Sequence, residues 1–141
     1  MAIYDAQSQN TARATRQYTD LDLFFGKKSS DSDIQKVTDI QAVKRSIRNL
    51  VQLNTYDKPF HPEIAGGIRQ MLFENMTPTV AIIISKQLEQ VIANYEPRAK
   101  LVGIKAIPDY DKNLYNVNIE FYVVNTPTEL VDMSVMLERL R

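Results

Sequence analysis

Side chains that could perform acid–base chemistry are present in this chain, but they form no recognisable catalytic pattern. Glycoside hydrolysis needs two carboxyl groups roughly 5 to 9.5 Å apart. Glu63 and Glu74 are the pair to consider, and one continuous helix through both would separate them by about 16 Å. His61 has no second histidine and no cysteine to join it in a metal site. The sequence therefore predicts no catalytic site, metal site or cofactor, although carboxyl pairs formed across the fold stay open.

The charge balance argues against nucleic acid and membrane partners. The chain of 141 residues carries 17 basic and 17 acidic side chains, so no net field attracts phosphates or anionic lipids. The absence of cysteine fits a reducing compartment. The polar start lacks the apolar core of a signal peptide, and no apolar run has the length of a membrane span. We expect a protein made in the cytosol.

An acidic residue stands at an unfavourable place, in the segment Glu96-Pro97-Arg98 that closes a long helical pattern. The carbonyl-rich end of a helix repels anions by up to about 1 kcal/mol. A basic group of a partner, Arg98, or both could compensate the charge of Glu96. Simple solvation is the alternative.

Three helices should precede this point. Thr38-Asp39-Ile40-Gln41 has the spacing of a capping box and predicts a first helix from Thr38. A short second helix should begin near Glu63, where Gly66 and Gly67 indicate close packing or a tight turn. The third should have Thr77 as N-cap and end before Pro97. Its predicted apolar face contains Val80, Ile83, Ile84, Leu88, Val91, Ile92 and Tyr95.

After Pro97 the apolar period changes from helical to alternating. Val102, Ile104 and Ala106 should share one face of a strand. The alternation over 115–123 predicts a second strand, joined to the first by a hairpin loop. The segment 130–140 fits either a helix or a third strand, and we favour the strand. The predicted fold is α+β: about three helices packed on a three-stranded antiparallel β-meander, with a flexible N-terminal arm.

The arm should cover residues 1–33 and a single compact domain residues 34–141. Within the arm, Leu21, Leu23 and Phe25 alternate with other residues and predict an apolar docking segment at 18–25. This segment could bind a neighbouring protein or pad its own domain. At the other end, an alternating terminal strand can pair with a strand of another chain through its main chain, or remain an inert edge. The residues concerned are Val131, Met133, Val135 and Leu137.

The stretches LFENMTP and NYEPR, in this order, resemble the small baseplate wedge protein of contractile-tailed phages. This sheath-initiator family, also named lysozyme-like, has a counterpart in type VI secretion baseplates. The resemblance covers the chain from about Asp39 onward. One departure follows Pro62-Glu63. Many relatives have an aromatic residue and then glycine directly after this pair, whereas this chain has Ile64 and Ala65 before Gly66.

The resemblance implies a structural protein of the virion tail baseplate, assembled in the host cytoplasm. It would bind the core bundle of the wedge subunits through Glu96 and Arg98, with Pro97 fixing the bend. It would also serve as the platform on which the tail sheath protein assembles, and tail tube or hub proteins are further candidate partners. The alternative is a tail-associated enzyme that degrades peptidoglycan.

Overall fold

A computed structural model describes residues 18–30 and 32–140. They form a small two-stranded sheet, three helices and a three-stranded antiparallel sheet, so the predicted α+β class is confirmed. In chain order the elements are β1 (Thr19–Leu21), β2 (Lys36–Thr38), α1 (Asp39–Gln52), α2 (Ile68–Met71), α3 (Pro78–Tyr95), β3 (Ala99–Asp109), β4 (Leu114–Val123) and β5 (Thr126–Glu138).

The larger sheet has the order β3-β4-β5, as the meander prediction requires. The inward side chains of the central strand are fully buried, as expected from its alternating pattern: Tyr115, Val117, Ile119, Phe121 and Val123. The ambiguous C-terminal segment is a strand, because its alternation places four apolar side chains on the core face. These are Val131, Met133, Val135 and Leu137.

A β-bulge in β3 changes the face that the sequence pattern predicted. Leu101 pairs with Phe121 and Gly103 with Glu120, which leaves Val102 as the extra residue. Val102 is therefore exposed, and the prediction that it shares one face of the strand with Ile104 is wrong. Leu101 takes its place beside Ile104 against the core.

The long helix α3 begins as predicted. Thr77 is its N-cap and accepts a hydrogen bond from the Val80 N–H at 3.2 Å. Ile84, Leu88 and Ile92 are fully buried in the core. The predicted apolar face was too broad, because Ile83 lies at its margin and is exposed.

The first helix, α1, starts at the predicted place but without the predicted cap. The Thr38 side chain makes no capping hydrogen bond. Instead, the Asp39 carboxylate accepts a bond from the Tyr18 N–H at 3.1 Å, and the Asp39 N–H donates to the Tyr18 carbonyl at 2.7 Å. The start of α1 is thus tied to the start of β1.

The second helix was predicted too long. Residues 63–67 are not helical, because Gly67 has a φ of +58° in the left-handed region and α2 begins only after it. A Cβ on Gly66 would lie 3.0 Å from Ile68 Cγ1 and 3.3 Å from Val91 Cγ2. The two glycines therefore serve the tight turn and the close packing that the sequence left as alternatives.

Residues 18–30 and 32–38 contain the two short strands and pack on the body of the protein. β1 and β2 pair in antiparallel fashion, and the Asp22 N–H extends the pairing by donating to the Gln35 carbonyl at 2.9 Å. Residues 1–17 of the predicted arm lie outside the described residues. The division of the chain at residue 33 stays a prediction.

Candidate functional site

The corner between α3 and β3 is formed by Glu96-Pro97-Arg98. The Glu96 N–H donates to the Ile92 carbonyl at 2.9 Å, and the Glu96 carbonyl accepts from the Ala99 N–H at 3.1 Å. Pro97 stands exposed at the outside of this bend. Because proline cannot continue the helix, the chain turns here into the sheet.

Arg98 compensates the charge of Glu96 within the chain. Its Nε–H donates to Glu96 Oε1 at 2.6 Å and its Nη2–H to Oε2 at 2.9 Å, a bidentate pair. Glu96 is only 2% exposed. Burial raises the pKa of Glu96, but hydrogen bonds from Arg98 and Ser46 and the charge of Arg98 outweigh it, so that the pKa is lowered. The carboxylate at this helix end is thus held ionised.

The same guanidinium binds a second carboxylate. Arg98 Nη1–H contacts both oxygens of Asp20 at 3.1 Å, and its Cζ lies 5.6 Å from the centre of the Tyr18 ring. The Arg98 side chain is 23% exposed and that of Asp20 39%. Arg98 therefore joins β1 to the corner, and both expected partner-binding charges, Glu96 and Arg98, are engaged internally. That they also bind a partner stays a prediction.

A second aspartate of the same segment is held by α1. Asp22 is 6% exposed and bonds to Arg45 and to the Phe24 N–H at 3.1 Å. The hydrogen bond from Phe24, followed by the bond and charge of Arg45, lowers the pKa of Asp22 although burial opposes it. The acidic side chains of this segment thus face the body.

The apolar side chains of the same segment are largely exposed. Leu21 and Leu23 are each 58% exposed, Phe24 is 84% and Phe25 is 71% exposed. Their exposure leaves them accessible to a partner, and the prediction that they bind a neighbouring protein stays a prediction. The predicted docking residues did not include Phe24. The centre of its ring lies 5.5 Å from Arg45 Cζ. We call these four residues the apolar display.

The predicted contact set on β5 is placed differently from the apolar display. Val131, Met133, Val135 and Leu137 have their side chains in the core, so only their main chain could reach a partner. β5 is an edge strand, and within residues 18–30 and 32–140 it pairs only with β4. The opposite edge strand, β3, carries a bulge and Pro108, both of which obstruct strand addition.

Among the carboxyl groups of residues 18–30 and 32–140, those with a shifted pKa include no candidate general acid. Asp22, Glu63 and Glu96 all have a lowered pKa, whereas a general acid needs a raised one. The distance argument against Glu63 and Glu74 fails, because no continuous helix joins them. Glu63 instead lies exposed at 3.0 Å from His61 Nδ1.

The described residues show neither a metal-binding cluster nor a membrane-spanning helix. Residues 18–30 and 32–140 contain no group of three histidine, cysteine, aspartate or glutamate side chains that could hold a metal ion. Within this part of the chain, no helix combines the length and apolar character needed to cross a membrane.

Two solved structures share the fold. A candidate tail lysozyme from Geobacter sulfurreducens superposes with a TM-score of 0.65 at 20% identity, covering 71% of this chain and 90% of that one. A chain of the anti-feeding prophage baseplate superposes with a TM-score of 0.61 at 18% identity, covering 89% and 88%. At such identities the likeness extends to the fold alone.

No family model matches the chain. The sequence is, however, 29% identical over 126 residues to baseplate wedge protein gp25 of Enterobacteria phage T4, which covers 89% of this chain and 95% of that protein. The resemblance carried by LFENMTP and NYEPR is thereby confirmed over most of the chain: the protein is similar to the baseplate wedge proteins of contractile tails.

Proposed function

We propose that this protein is a structural subunit of a contractile-tail baseplate. It binds the core bundle of the wedge subunits and forms the platform on which the tail sheath protein assembles. The observation that supports this proposal most is the similarity to a baseplate wedge protein along 95% of that protein's length. On this reading the protein resides in the tail baseplate after assembly in the host cytoplasm.

Three surfaces carry the proposed contacts. Arg98 and Asp20 keep part of their surface open at the corner, where Pro97 projects, so a wedge subunit can add to their network from outside. The apolar display offers a second contact for a wedge, tube or hub protein. The main-chain edge of β5 offers hydrogen bonds to a strand of the sheath protein.

The proposal makes the protein a non-enzyme that binds neither nucleic acid nor membrane. The balanced charge supports the absence of phosphate-rich partners. Glu96 is buried and held by Arg98 in a bidentate ion pair, which supports a structural role for this carboxylate. A hydrolase that degrades peptidoglycan is the alternative and is an outcome of the test.

The test is co-expression of the full chain with the wedge and sheath proteins of the same genome. We expect a stable complex with wedge subunits, and sheath protein should join only when this chain is present. A parallel assay with purified peptidoglycan should show no release of glycan fragments. Absence of any complex together with hydrolysis would overturn the proposal in favour of the enzyme.

A further inference from the structure

The outer face of the large sheet is the face turned away from the core. Its side chains are exposed or half-buried. Four of the exposed ones are large and apolar: Val102 and Ile107 on β3, and Leu130 and Met136 on β5. Single exposed apolar side chains are ordinary on a protein surface. Their arrangement therefore decides whether this face fits a partner.

The charges of the outer face are divided between its strands. The cations Lys100 and Lys105 are on β3, whereas the acids Glu120 and Asp132 are on β4 and β5. Glu120 and Asp132 are register partners, and like charges directly opposite each other destabilise a sheet. Within residues 18–30 and 32–140, none of these four side chains forms an ion pair. The face thus has a basic side and an acidic side.

The other charges near the face keep this division. Asp109, at the end of β3, is paired with Lys112 at 3.8 Å. Glu138, at the end of β5, adds to the acidic side. Glu129 lines a hollow together with Lys44 of α1 at the start of β5. A partner of a single charge sign would therefore be repelled by one side of the outer face.

The strand register aligns the apolar and charged residues of the two edge strands. Ile107 and Met136 lie in one row across the sheet, because both pair with Asn116. Lys105 lies one row further along β3, and Asp132 lies two rows further along β5. Each edge strand thus has an apolar residue at this end and a charge near its middle, with opposite signs on the two strands.

We propose that two copies of this chain pack their outer sheet faces against each other about a two-fold axis that runs along β4. This axis places β3 of one copy over β5 of the other, at the same height along the strands. Ile107 then meets Met136 of the second copy, and Val102 meets Leu130 at the other end of the face. The inference is independent of the proposed function.

Charge complementarity selects a second copy as the occupant. In two sheets packed about 10 Å apart, the long Lys105 side chain reaches Asp132 of the second copy, one row away. The two-fold axis makes this contact twice, and it supplies each acidic side with a cation that its own chain does not provide. The balanced charges that would repel a uniformly basic or acidic partner are thus matched.

The size of the face and one repulsion limit the affinity. Three strands about 4.8 Å apart, each with about ten residues of about 3.3 Å, cover roughly 480 Å². The two copies would bury roughly 1,000 Å², at the low end for specific interfaces. Glu120 on the central strand lies beside the axis, near Glu120 of the second copy. We expect a weak dimer with a dissociation constant of about 10–100 μM.

Sedimentation equilibrium of the full chain between about 5 and 500 μM measures the dissociation constant. Lys105→Glu and Asp132→Lys, made separately, each place like charges at both contacts and should raise it at least about tenfold. An equimolar mixture of the two variants should recover the dimer, because the mixed pair has opposite charges at both contacts. Glu120→Gln should lower the dissociation constant about two- to fivefold, because it removes the repulsion at the axis.

The matched control is Lys86→Glu, which reverses an exposed cation of α3 and should leave the dissociation constant unchanged. Circular dichroism checks that each variant is folded. A chain that stays monomeric over the whole range overturns the inference, because the face is then open or covered by the chain itself. A dimer that neither charge reversal weakens, or two variants that fail to associate on mixing, overturns it too. Neither result bears on binding to wedge or sheath proteins.

Discussion

Arg98 and Glu96 form a bidentate ion pair across the corner that joins the long helix to the sheet, with donor–acceptor distances of 2.6 and 2.9 Å. Glu96 is 2% exposed, whereas the Arg98 side chain keeps 23% of its surface open. The carboxylate is therefore the buried member and the guanidinium the accessible one. This asymmetry makes the corner both a structural joint and a candidate contact.

Replacing Arg98 by alanine should destabilise the isolated protein. The change leaves the buried Glu96 carboxylate without its main partner, and we expect a loss of about 3 kcal/mol, the lower end for a broken buried ion pair. Urea denaturation measures the difference. Arg98→Ala combined with Glu96→Gln should recover part of the loss, because no charge is then left buried. A single variant as stable as the original would show that solvent reaches Glu96.

The stability of the protein should depend on pH through Glu96. Its folded-state pKa lies below the ordinary value of 4.5. A depressed carboxyl pKa stabilises the fold above the unfolded-state pKa, and the contribution is lost as the pH falls through the lower folded-state pKa. We expect the free energy of unfolding to fall below about pH 4.5.

The matched variant for this pH dependence is Glu96→Gln, which removes the titrating group. Its free energy of unfolding should vary less steeply between roughly pH 3 and 5 than that of the original protein. Asp22, whose pKa is also lowered, leaves a residual dependence in both proteins. Parallel curves for the two proteins would mean that Glu96 titrates alike in the folded and unfolded states.

Local signals in the sequence predicted much of the fold. Thr77 and Pro78 fix the start of α3 because capping needs only neighbouring residues. The alternation in β4 and β5 predicted strands, since a side chain changes face at every residue. The bulge at Val102 could not be predicted, because it depends on the register with β4.

The candidate site was predicted only in part. The unfavourable position of Glu96 signalled that a compensating charge was needed, and Arg98 was among the named candidates. Asp20 lies 78 residues from Arg98 in the chain, and no local pattern connects them. The sequence interpretation of this segment relied on the apolar residues Leu21 and Leu23. In the structure it is Asp20 and Asp22 that attach the segment to the body, because Arg98 and Arg45 pair with them.

Removing the apolar display should affect partner binding more than folding. Leu23→Ser with Phe25→Ser changes side chains that are 58% and 71% exposed, so the free energy of unfolding should shift by less than about 0.5 kcal/mol per site. Co-purification with wedge subunits should fall. Phe60→Ser is the control, because Phe60 is 96% exposed in a separate loop. Equal capture by the double variant and the control would exclude the display as a contact.

The turn before α2 should require glycine at position 67. Gly67→Ala places a side chain at a φ of +58° and should cost about 1 kcal/mol. Gly103→Ala serves as the comparison, because a Cβ there meets nothing within 4 Å. Thermal unfolding of both variants measures the difference. A similar melting temperature for both would mean that the turn relaxes to a conformation that alanine tolerates.

Neighbouring isoleucines of α3 should respond very differently to truncation. Ile84 is fully buried, and Ile84→Ala should cost about 2–5 kcal/mol through lost burial and the cavity that remains. Ile83 is 42% exposed, and Ile83→Ala should cost well under half as much, because alanine favours the helix and solvent fills the space. Urea denaturation of the two variants tests the orientation of α3 on the sheet directly. Equal losses of stability would mean that Ile83 is as buried as Ile84, as the broader apolar face predicted from the sequence implies.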